Sequence, residues 1–350
     1  MKFRKYIKII LGWRNWSVFT FNAFVENIFI AFYIAIVLED FSYKFIIKLL
    51  IFYLFSVFST SYGYLINDIS DKKLDALHNK ANALSEVSNT LAAWIVLSVF
   101  LFSALFSTPF WGNEVFLYLW LIWLLLSTSY SLKPFRLKEK GKIGLLVVVF
   151  AQRFLPTLLV FAAFDFYQWQ DVLLFSIYTL LRGLSSDVNH QLEDYNLDIS
   201  TSTGTFAVKK GYEKTERLLN IILEAEKFFL LMVLIRICFI LHNFHQPLFK
   251  FMILFSLFYS ILYLYTFIQI KEGENRNPFR RDIKNVFQFI HHPFPTIILP
   301  LILCLYLIGY NYFYIIVLFL FLFNKKIFSP STLKTNYLSR IFIKLFKLKT

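Results

Sequence analysis

The sequence predicts an all-α, polytopic integral membrane protein with nine to ten transmembrane helices. Of its 350 residues, 58% are hydrophobic and only 17% are charged, and the mean hydropathy is +0.59. A soluble domain of average composition has about 25% charged residues, so this chain lacks the polar surface that a soluble protein of its size needs. The composition excludes disordered, collagen-like and disulfide-scaffold proteins as well.

Apolar stretches of suitable length recur along the chain, since a helix that crosses a bilayer needs about 17–25 mostly apolar residues. Two stretches are less regular: Arg182 interrupts Tyr167–Ser186, and Phe294–Phe323 is either one long tilted helix or two short ones. The clearest candidate spans are Ser17–Leu38, Leu49–Ile66, Leu91–Phe106, Val115–Tyr130, Ile143–Phe164, Leu218–Leu241 and Leu248–Ile270.

The positive charges predict the orientation of these spans. Of the 36 Lys and Arg residues, 29 lie in segments 1–16, 67–90, 131–142, 187–217, 271–293 and 325–350. Segments 107–114, 165–171 and 242–247 contain none. By the positive-inside rule the N-terminus and the basic segments are cytoplasmic. We therefore expect one multi-pass domain over residues 1–350, in a bacterial inner membrane, and no nucleic-acid partner.

The end of the chain decides the number of spans. The tail 325–350 is basic, with 7 Lys and Arg residues. It becomes cytoplasmic if the stretch before it crosses the membrane twice, which favours ten spans. The tail and the tenth span would then be an addition, over about residues 311–350, to a core of about residues 15–310.

The first long loop carries a regular set of carboxylates. Asp68, Asp71 and Asp75 have i, i+3 and i+7 spacing, which places them on one face if the second helix continues into the loop. Hard oxygen ligands of this kind suit Mg²⁺, which binds phosphate oxygens at the same time. A solvated acidic helix start would give the same pattern, so this motif alone leaves both interpretations open.

The second long loop also carries regularly spaced carboxylates. Asp187, Asp194 and Asp198 have i, i+7 and i+11 spacing, and His190 and Gln191 lie between them. We expect all five on one helical face. Two carboxylate faces on the same side of a membrane are hard to explain by solubility. Together they predict paired metal sites that bind an anionic group and stabilise departing charge.

A third cytoplasmic segment supplies cations. It begins at Tyr130 and contains Lys133 and Arg136. Both basic side chains suit diphosphate oxygens, Arg136 in a bidentate manner. A plain positive-inside loop is the alternative.

Several charges lie within predicted spans. Arg153 and Arg182 are in the fifth and sixth spans, and Glu26, with Asn22 one turn before it, is in the first. Ionisable groups in a bilayer usually face a cavity or a partner. Helix pairing through an Arg–Glu contact is the alternative to a binding role.

At these residues the chain resembles the UbiA superfamily of intramembrane prenyltransferases, in particular 4-hydroxybenzoate polyprenyltransferase-like members. The segment from Asn67 to Asp75 is similar to the family's N-D-x-x-D-x-x-x-D motif, and Asp187 to Asp198 is similar to its D-x6-D-x3-D motif. The segment from Gly204 to Gly211 resembles the stretch that follows. The family commonly has Arg and Pro after the first motif, and here Lys80 is the candidate replacement for that arginine.

The resemblance implies an enzyme that transfers a prenyl or polyprenyl group from an allylic diphosphate to an acceptor within the membrane. It implies a helix bundle around a central cavity that opens to the cytoplasmic side. An aromatic acceptor of a quinone pathway is favoured because the second motif is most similar to those members. The implied Mg²⁺ ligands are Asp68, Asp71, Asp75, Asp194 and Asp198. The implied catalytic residues are Asp71, Asp194, Lys133 and Arg136. The implied substrate-binding residues are Asn22, Asn67, Lys72, Tyr130, Arg153, Asp187, His190 and Gln191.

Three other classes compete with this interpretation. A divalent-cation or organic-anion transporter would place its site near the midplane, on helices broken by Gly or Pro, whereas the acids here lie at the ends of Gly-poor spans. A noncatalytic assembly factor has no need of aligned aspartates. The D-G-x2-A-R motif of the CDP-alcohol phosphotransferases is absent from the sequence.

Overall fold

The computed structural model describes residues 17–20, 22–77, 80–201, 203–244, 246–280 and 285–325. The predicted cytoplasmic N-terminal segment and most of the basic tail lie outside the described residues. Sixteen α-helices are present in the described part of the chain. In chain order, α1 to α16 are Ser17–Thr20, Ala23–Glu26, Phe29–Val37, Tyr43–Leu77, Asn89–Ser107, Glu114–Ser131, Lys142–Val149, Leu155–Ala163, Trp169–Glu193, Tyr195–Ser200, Phe206–Lys210, Tyr212–Phe244, Gln246–Lys271, Val286–His291, Leu299–Tyr310 and Tyr314–Asn324.

The prediction of an all-α membrane protein is confirmed, although the count of nine to ten spans is not exact. Six helical stretches within the described residues are long and apolar enough to cross a bilayer. The helices α9 and α12 are as long but carry more charged residues, and α16 has only 11 residues. The six stretches are Tyr43–Leu77, Asn89–Phe110, Glu114–Ser131, Lys142–Ala163, Gln246–Lys271 and Val286–Tyr310.

The described residues form two compact units. The first contains the described residues up to Glu26 together with Ile47–Phe229, and the second contains Asn27–Ile46 and the described residues from Leu230 onwards. Both aspartate motifs and the basic loop between α6 and α7 belong to the first unit. A single membrane domain stays a prediction.

The first predicted span is not one helix. The chain is helical over α1, α2 and α3, with a break at Asn22 and another after Glu26. Asn22 Oδ1 accepts hydrogen bonds from the amides of Phe24 (2.9 Å) and Val25 (3.3 Å). This is the geometry of a helix N-cap, which explains why a new helix begins at this residue.

The stretch Phe294–Phe323 contains two helices rather than one. Asn311 separates α15 from α16. Its Oδ1 accepts a hydrogen bond from the Phe313 amide (3.1 Å), and its Nδ2 donates to the Phe41 carbonyl (2.8 Å). These bonds stabilise the break at Asn311. Of the two predicted alternatives, two short helices is therefore the correct one.

Candidate active site

The first carboxylate motif lies on a continuous helix. The helix α4 runs unbroken from Tyr43 to Leu77, through the apolar span and the whole motif. Asp68, Asp71 and Asp75 are buried, with 0%, 8% and 8% of their surface exposed. The predicted continuation of the second helix into the loop is therefore confirmed.

Asp71 is bound by two cations of the loop that follows α6. Arg136 Nη2 donates to Asp71 Oδ1 at 3.0 Å, and Lys138 Nζ donates to Asp71 Oδ2. Arg136 also donates to Ser70 Oγ (3.0 Å) and to Glu139. Each oxygen of one buried carboxylate thus has its own cationic partner. The predicted residue Arg136 lies at the site.

Lys138 is one residue of this site that sequence reasoning missed. It follows Arg136 by two positions in the same basic run, which was the available signal. Besides Asp71, it donates to Asn67 Oδ1 at 3.1 Å, and Asn67 also accepts a hydrogen bond from Ser131 Oγ at 3.0 Å. The predicted residue Lys133 is exposed, and a catalytic role for it stays a prediction.

The local environment changes the proton affinity of both cations. Burial lowers the pKa of Lys138, and the adjacent Asp71 carboxylate offsets only part of this effect. Burial also acts against the charged form of Arg136, but the bonds to Glu139 and Asp71 outweigh it and raise the pKa of Arg136. Arg136 is therefore a permanent positive charge, whereas Lys138 loses its proton more easily than an ordinary lysine.

The helix predicted for the second motif is divided into two in the structure, and a shared face for its five polar residues stays a prediction. Asp187 lies on α9, which ends at Glu193, and Asp198 lies on the separate helix α10. Asp194 falls between the two helices because its backbone leaves helical values, with φ −86° and ψ 1°. The Asp198 amide still donates to the Asp194 carbonyl (2.8 Å), so the two residues stay close.

The second motif has its own polar partners. Lys80 Nζ lies 3.4 Å from Asp194 Oδ2, and His190 Nε2 lies 3.9 Å from the same oxygen. Asp198 Oδ2 accepts a hydrogen bond from Thr205 Oγ1 at 3.0 Å, and burial raises the pKa of Asp198. Lys80, the candidate replacement for the family's arginine, thus connects the segment after the first motif to the second.

The second motif is also tied to the basic loop through the backbone. The Gly141 amide donates to the Gly204 carbonyl at 3.1 Å, and Gly141 pairs with Thr205 as an isolated parallel bridge. The chain at Gly141 has φ +59°, and a Cβ there would lie 2.8 Å from the Lys209 side chain. The Lys209 side chain could shift, but the backbone conformation with φ +59° and ψ −115° is one that residues with a side chain rarely adopt, so glycine is favoured.

Other predicted site residues make contacts of different kinds. Gln191 Oε1 accepts from the Ala207 amide (3.2 Å) at the start of α11. Lys72 donates to the Val87 carbonyl and to Asn89 Oδ1 (3.2 Å). Substrate binding by Gln191, Lys72 and the half-buried Tyr130 stays a prediction.

The buried charges of the spans form ion pairs. Arg153 pairs with Glu26, and Arg182 Nη1 lies 3.3 Å from Glu226 Oε1. Ser185 Oγ donates to Glu226 Oε2 at 2.6 Å. These are the contacts expected from helix pairing.

Two of the predicted binding residues each have a buried polar atom that could bind a ligand. Within the described residues, Arg153 Nε and Asp187 Oδ2 are buried without a hydrogen-bond partner. Asn22, in contrast, donates to Thr60 Oγ1 at 3.2 Å and accepts from Ser56 Oγ at 2.6 Å, in addition to its role as a helix cap. Binding of substrate by these residues stays a prediction.

The predicted metal ligands do not converge into a ready-made cage. Over the described part of the chain, no group of three or more His, Cys, Asp or Glu side chains is close enough to hold a metal ion. The arrangement is instead a pair of carboxylate motifs with Arg136, Lys138 and Lys80 beside them. Such a site can bind a polyanion together with a divalent cation.

Comparison with known proteins identifies the family and the fold. The model of the UbiA prenyltransferase family matches residues 28–292. No curated protein matches the chain. Among solved structures, a UbiA homolog from Archaeoglobus fulgidus bound to GPP and Mg²⁺ has a TM-score of 0.57 at 17% identity, over 89% of this chain and 99% of the other.

Two further structures have the same fold. The Archaeoglobus fulgidus homolog bound to DMAPP and Mg²⁺ has a TM-score of 0.57 at 18% identity, over 89% of this chain and 99% of the other. A digeranylgeranylglyceryl phosphate synthase has a TM-score of 0.55 at 17% identity, over 88% and 98%. Because the family model covers most of the chain, this protein belongs to the UbiA prenyltransferase family.

Proposed function

We propose that this family member transfers a prenyl group from an allylic diphosphate to an acceptor at the membrane. The main support is that two cations bind the Asp71 carboxylate: Arg136 Nη2 lies 3.0 Å from Asp71 Oδ1, and Lys138 Nζ donates to Asp71 Oδ2. In proteins, guanidinium and ammonium groups are also the usual partners of phosphate oxygens. The solved homologs bound to GPP and DMAPP, each with Mg²⁺, support the same assignment.

The residues present fit Mg²⁺. This ion binds oxygen ligands, and it is commonly held by one or two carboxylates with substrate phosphates and water completing the coordination. Asp187 has a buried Oδ2 without a hydrogen-bond partner among the described residues. Asp68, Asp71, Asp75, Asp194 and Asp198 would supply the carboxylates that hold the ion, and Asp187 stays a predicted substrate-binding residue. When bound, the ion would neutralise charge on the diphosphate.

The protein's own side chains would bind the diphosphate and stabilise the charges that develop in the reaction. Arg136, Lys138 and Lys80 would hold diphosphate oxygens and neutralise the charge that grows as the carbon–oxygen bond breaks. The reacting allyl group becomes cationic, and aromatic rings stabilise a cation through their π faces. Exclusion of water then protects this cation until the acceptor attacks it and loses a proton.

We further propose an aromatic acceptor of a quinone pathway and a site at the cytoplasmic face of the membrane. The placement of basic residues and the similarity of the second motif support these two points. A cation or anion transporter, the alternative function, has no support from the family match. A product assay with several candidate acceptors would identify the acceptor directly.

The test is a product assay with a panel of acceptors. Purified protein, Mg²⁺ and a labelled prenyl diphosphate are incubated with hydroxybenzoate, dihydroxynaphthoate, homogentisate and a lipid alcohol. We expect one aromatic acceptor to be prenylated, and Asp194→Asn to reduce its rate at least about 10²-fold. The matched control is Asp165→Asn, at an exposed aspartate paired with Lys48 outside both motifs. Equal rates for the two variants would contradict the assignment of Asp194, and prenylation of only the lipid alcohol would contradict the aromatic acceptor.

The lowered pKa of Lys138 predicts a pH dependence. Because kcat/KM reports the free enzyme, it should decline on the basic side at a pH below the ordinary lysine value of about 10.4. An arginine stays protonated there, so Lys138→Arg should shift this decline to higher pH. The measurement is kcat/KM against pH for both proteins with a stable prenyl diphosphate. Superimposable basic limbs would show that Lys138 is not the titrating group.

A further inference from the structure

The segment after the first motif folds back along it. The Lys80 amide donates to the Asp75 carbonyl (2.9 Å), and the Ala83 amide donates to Asp68 Oδ2 (3.0 Å). Leu84, with 0% exposure, anchors the segment in the core. The backbone of this segment is thereby fixed against the two ends of the motif.

Asn82 makes the central contacts of this segment. Its Nδ2 donates to Asp75 Oδ2 at 2.7 Å and to the Asp68 carbonyl at 2.8 Å. Its Oδ1 accepts from the Leu84 amide at 2.9 Å. One side-chain amide therefore joins the first and last aspartates of the motif, and it closes the turn at the same time.

The chemistry of this donor differs from that at Asp71. Both oxygens of Asp71 are bound by cations, which compete with a metal ion for the carboxylate. The amide of Asn82 is neutral, so it fixes one oxygen of Asp75 and leaves the negative charge of the carboxylate intact. Neutral hydrogen bonds of this kind orient carboxylates that bind metals, and their loss typically costs about 10–100-fold in metal affinity or activity.

We propose that Asn82 is the positioning residue of the first motif. It holds the Asp75 carboxylate in the orientation that binds a divalent cation together with diphosphate. Asn82 acts through Asp75 and does not itself touch the substrate. This inference rests on the proposed function, because the divalent cation and the diphosphate belong to that reaction.

Two substitutions separate this role from the role of Asn82 in the turn. Asn82→Ala removes both the hydrogen bond to Asp75 and the bond that closes the turn. Asn82→Ser keeps a hydroxyl that accepts from the backbone two residues later, as serine does in turns, but it is too short to reach Asp75. The matched control is Ser85→Ala, since Ser85 is an exposed residue of the same turn.

The experiment measures Mn²⁺ binding by electron paramagnetic resonance, in the presence of inorganic diphosphate, together with the Mg²⁺ concentration that gives half-maximal activity. We expect Asn82→Ala and Asn82→Ser to weaken Mn²⁺ binding by about 10-fold or more and to raise the Mg²⁺ requirement. Activity should return at high Mg²⁺, and Ser85→Ala should behave as the unmodified protein.

Unchanged Mn²⁺ binding in Asn82→Ser would overturn the inference, even if its melting temperature falls. Failure of the proposed function gives a different result. In that case the unmodified protein transfers no prenyl group to any acceptor, whatever the binding data show.

Discussion

Replacing Asp71 with asparagine should reduce prenyl transfer by at least about 10²–10³-fold, the range observed when one preorganised electrostatic group is removed. The substitution removes a predicted Mg²⁺ ligand and leaves two cations beside it, Arg136 and Lys138, without their carboxylate. The measurement is the initial rate of product formation at saturating Mg²⁺ and prenyl diphosphate. A rate above about a tenth of that of the unmodified protein would contradict the role given to Asp71.

Removing the carboxylate of Glu226 should cost about 3–5 kcal/mol of stability, as expected when one partner of a buried ion pair is lost. Glu226 binds both Arg182 (3.3 Å) and Ser185 (2.6 Å), and only 4% of its surface is exposed. Thermal unfolding of Glu226→Ala in detergent measures the loss. The control is Lys48→Ala, which breaks an exposed pair and should change stability by less than about 1 kcal/mol.

A double substitution separates stability from function at this pair. Replacing a buried ion pair with apolar residues of similar volume is often neutral or stabilising. The variant Arg182→Met with Glu226→Met should therefore regain most of the stability lost in Glu226→Ala. If the double variant is as unstable as the single variant, the ion pair is not the reason for the loss. If it is stable but inactive, the Arg182–Glu226 pair has a role in the reaction as well.

The fold could be predicted because its main signals are local. Apolar stretches of bilayer length identify most spans, and the spacing of Asp68, Asp71 and Asp75 follows directly from helical periodicity. The breaks at Asn22 and Asp194 could not be found in the same way. Each depends on hydrogen bonds or backbone angles that a hydrophobic pattern does not encode.

The site was predicted less completely, for a physical reason. The contact between Lys138 and Asp71 joins residues 67 positions apart, and the partner of Asp198 is a threonine in the following loop. Asn82 has no distinctive type or spacing, so only the folded turn shows that it binds Asp75. Lys72 likewise has partners that its position in the motif does not reveal, because its side chain donates to the Val87 carbonyl and to Asn89 Oδ1.

The stoichiometry of the reaction shows directly whether the protein transfers a prenyl group. Purified protein is given a labelled prenyl diphosphate and its acceptor, and both diphosphate and prenylated acceptor are quantified with Mg²⁺ and with a chelator. We predict equal amounts of the two products with Mg²⁺ and neither with the chelator. Intact prenyl diphosphate with every acceptor, together with flux of the divalent cation through the protein in liposomes, would contradict prenyl transfer as the function.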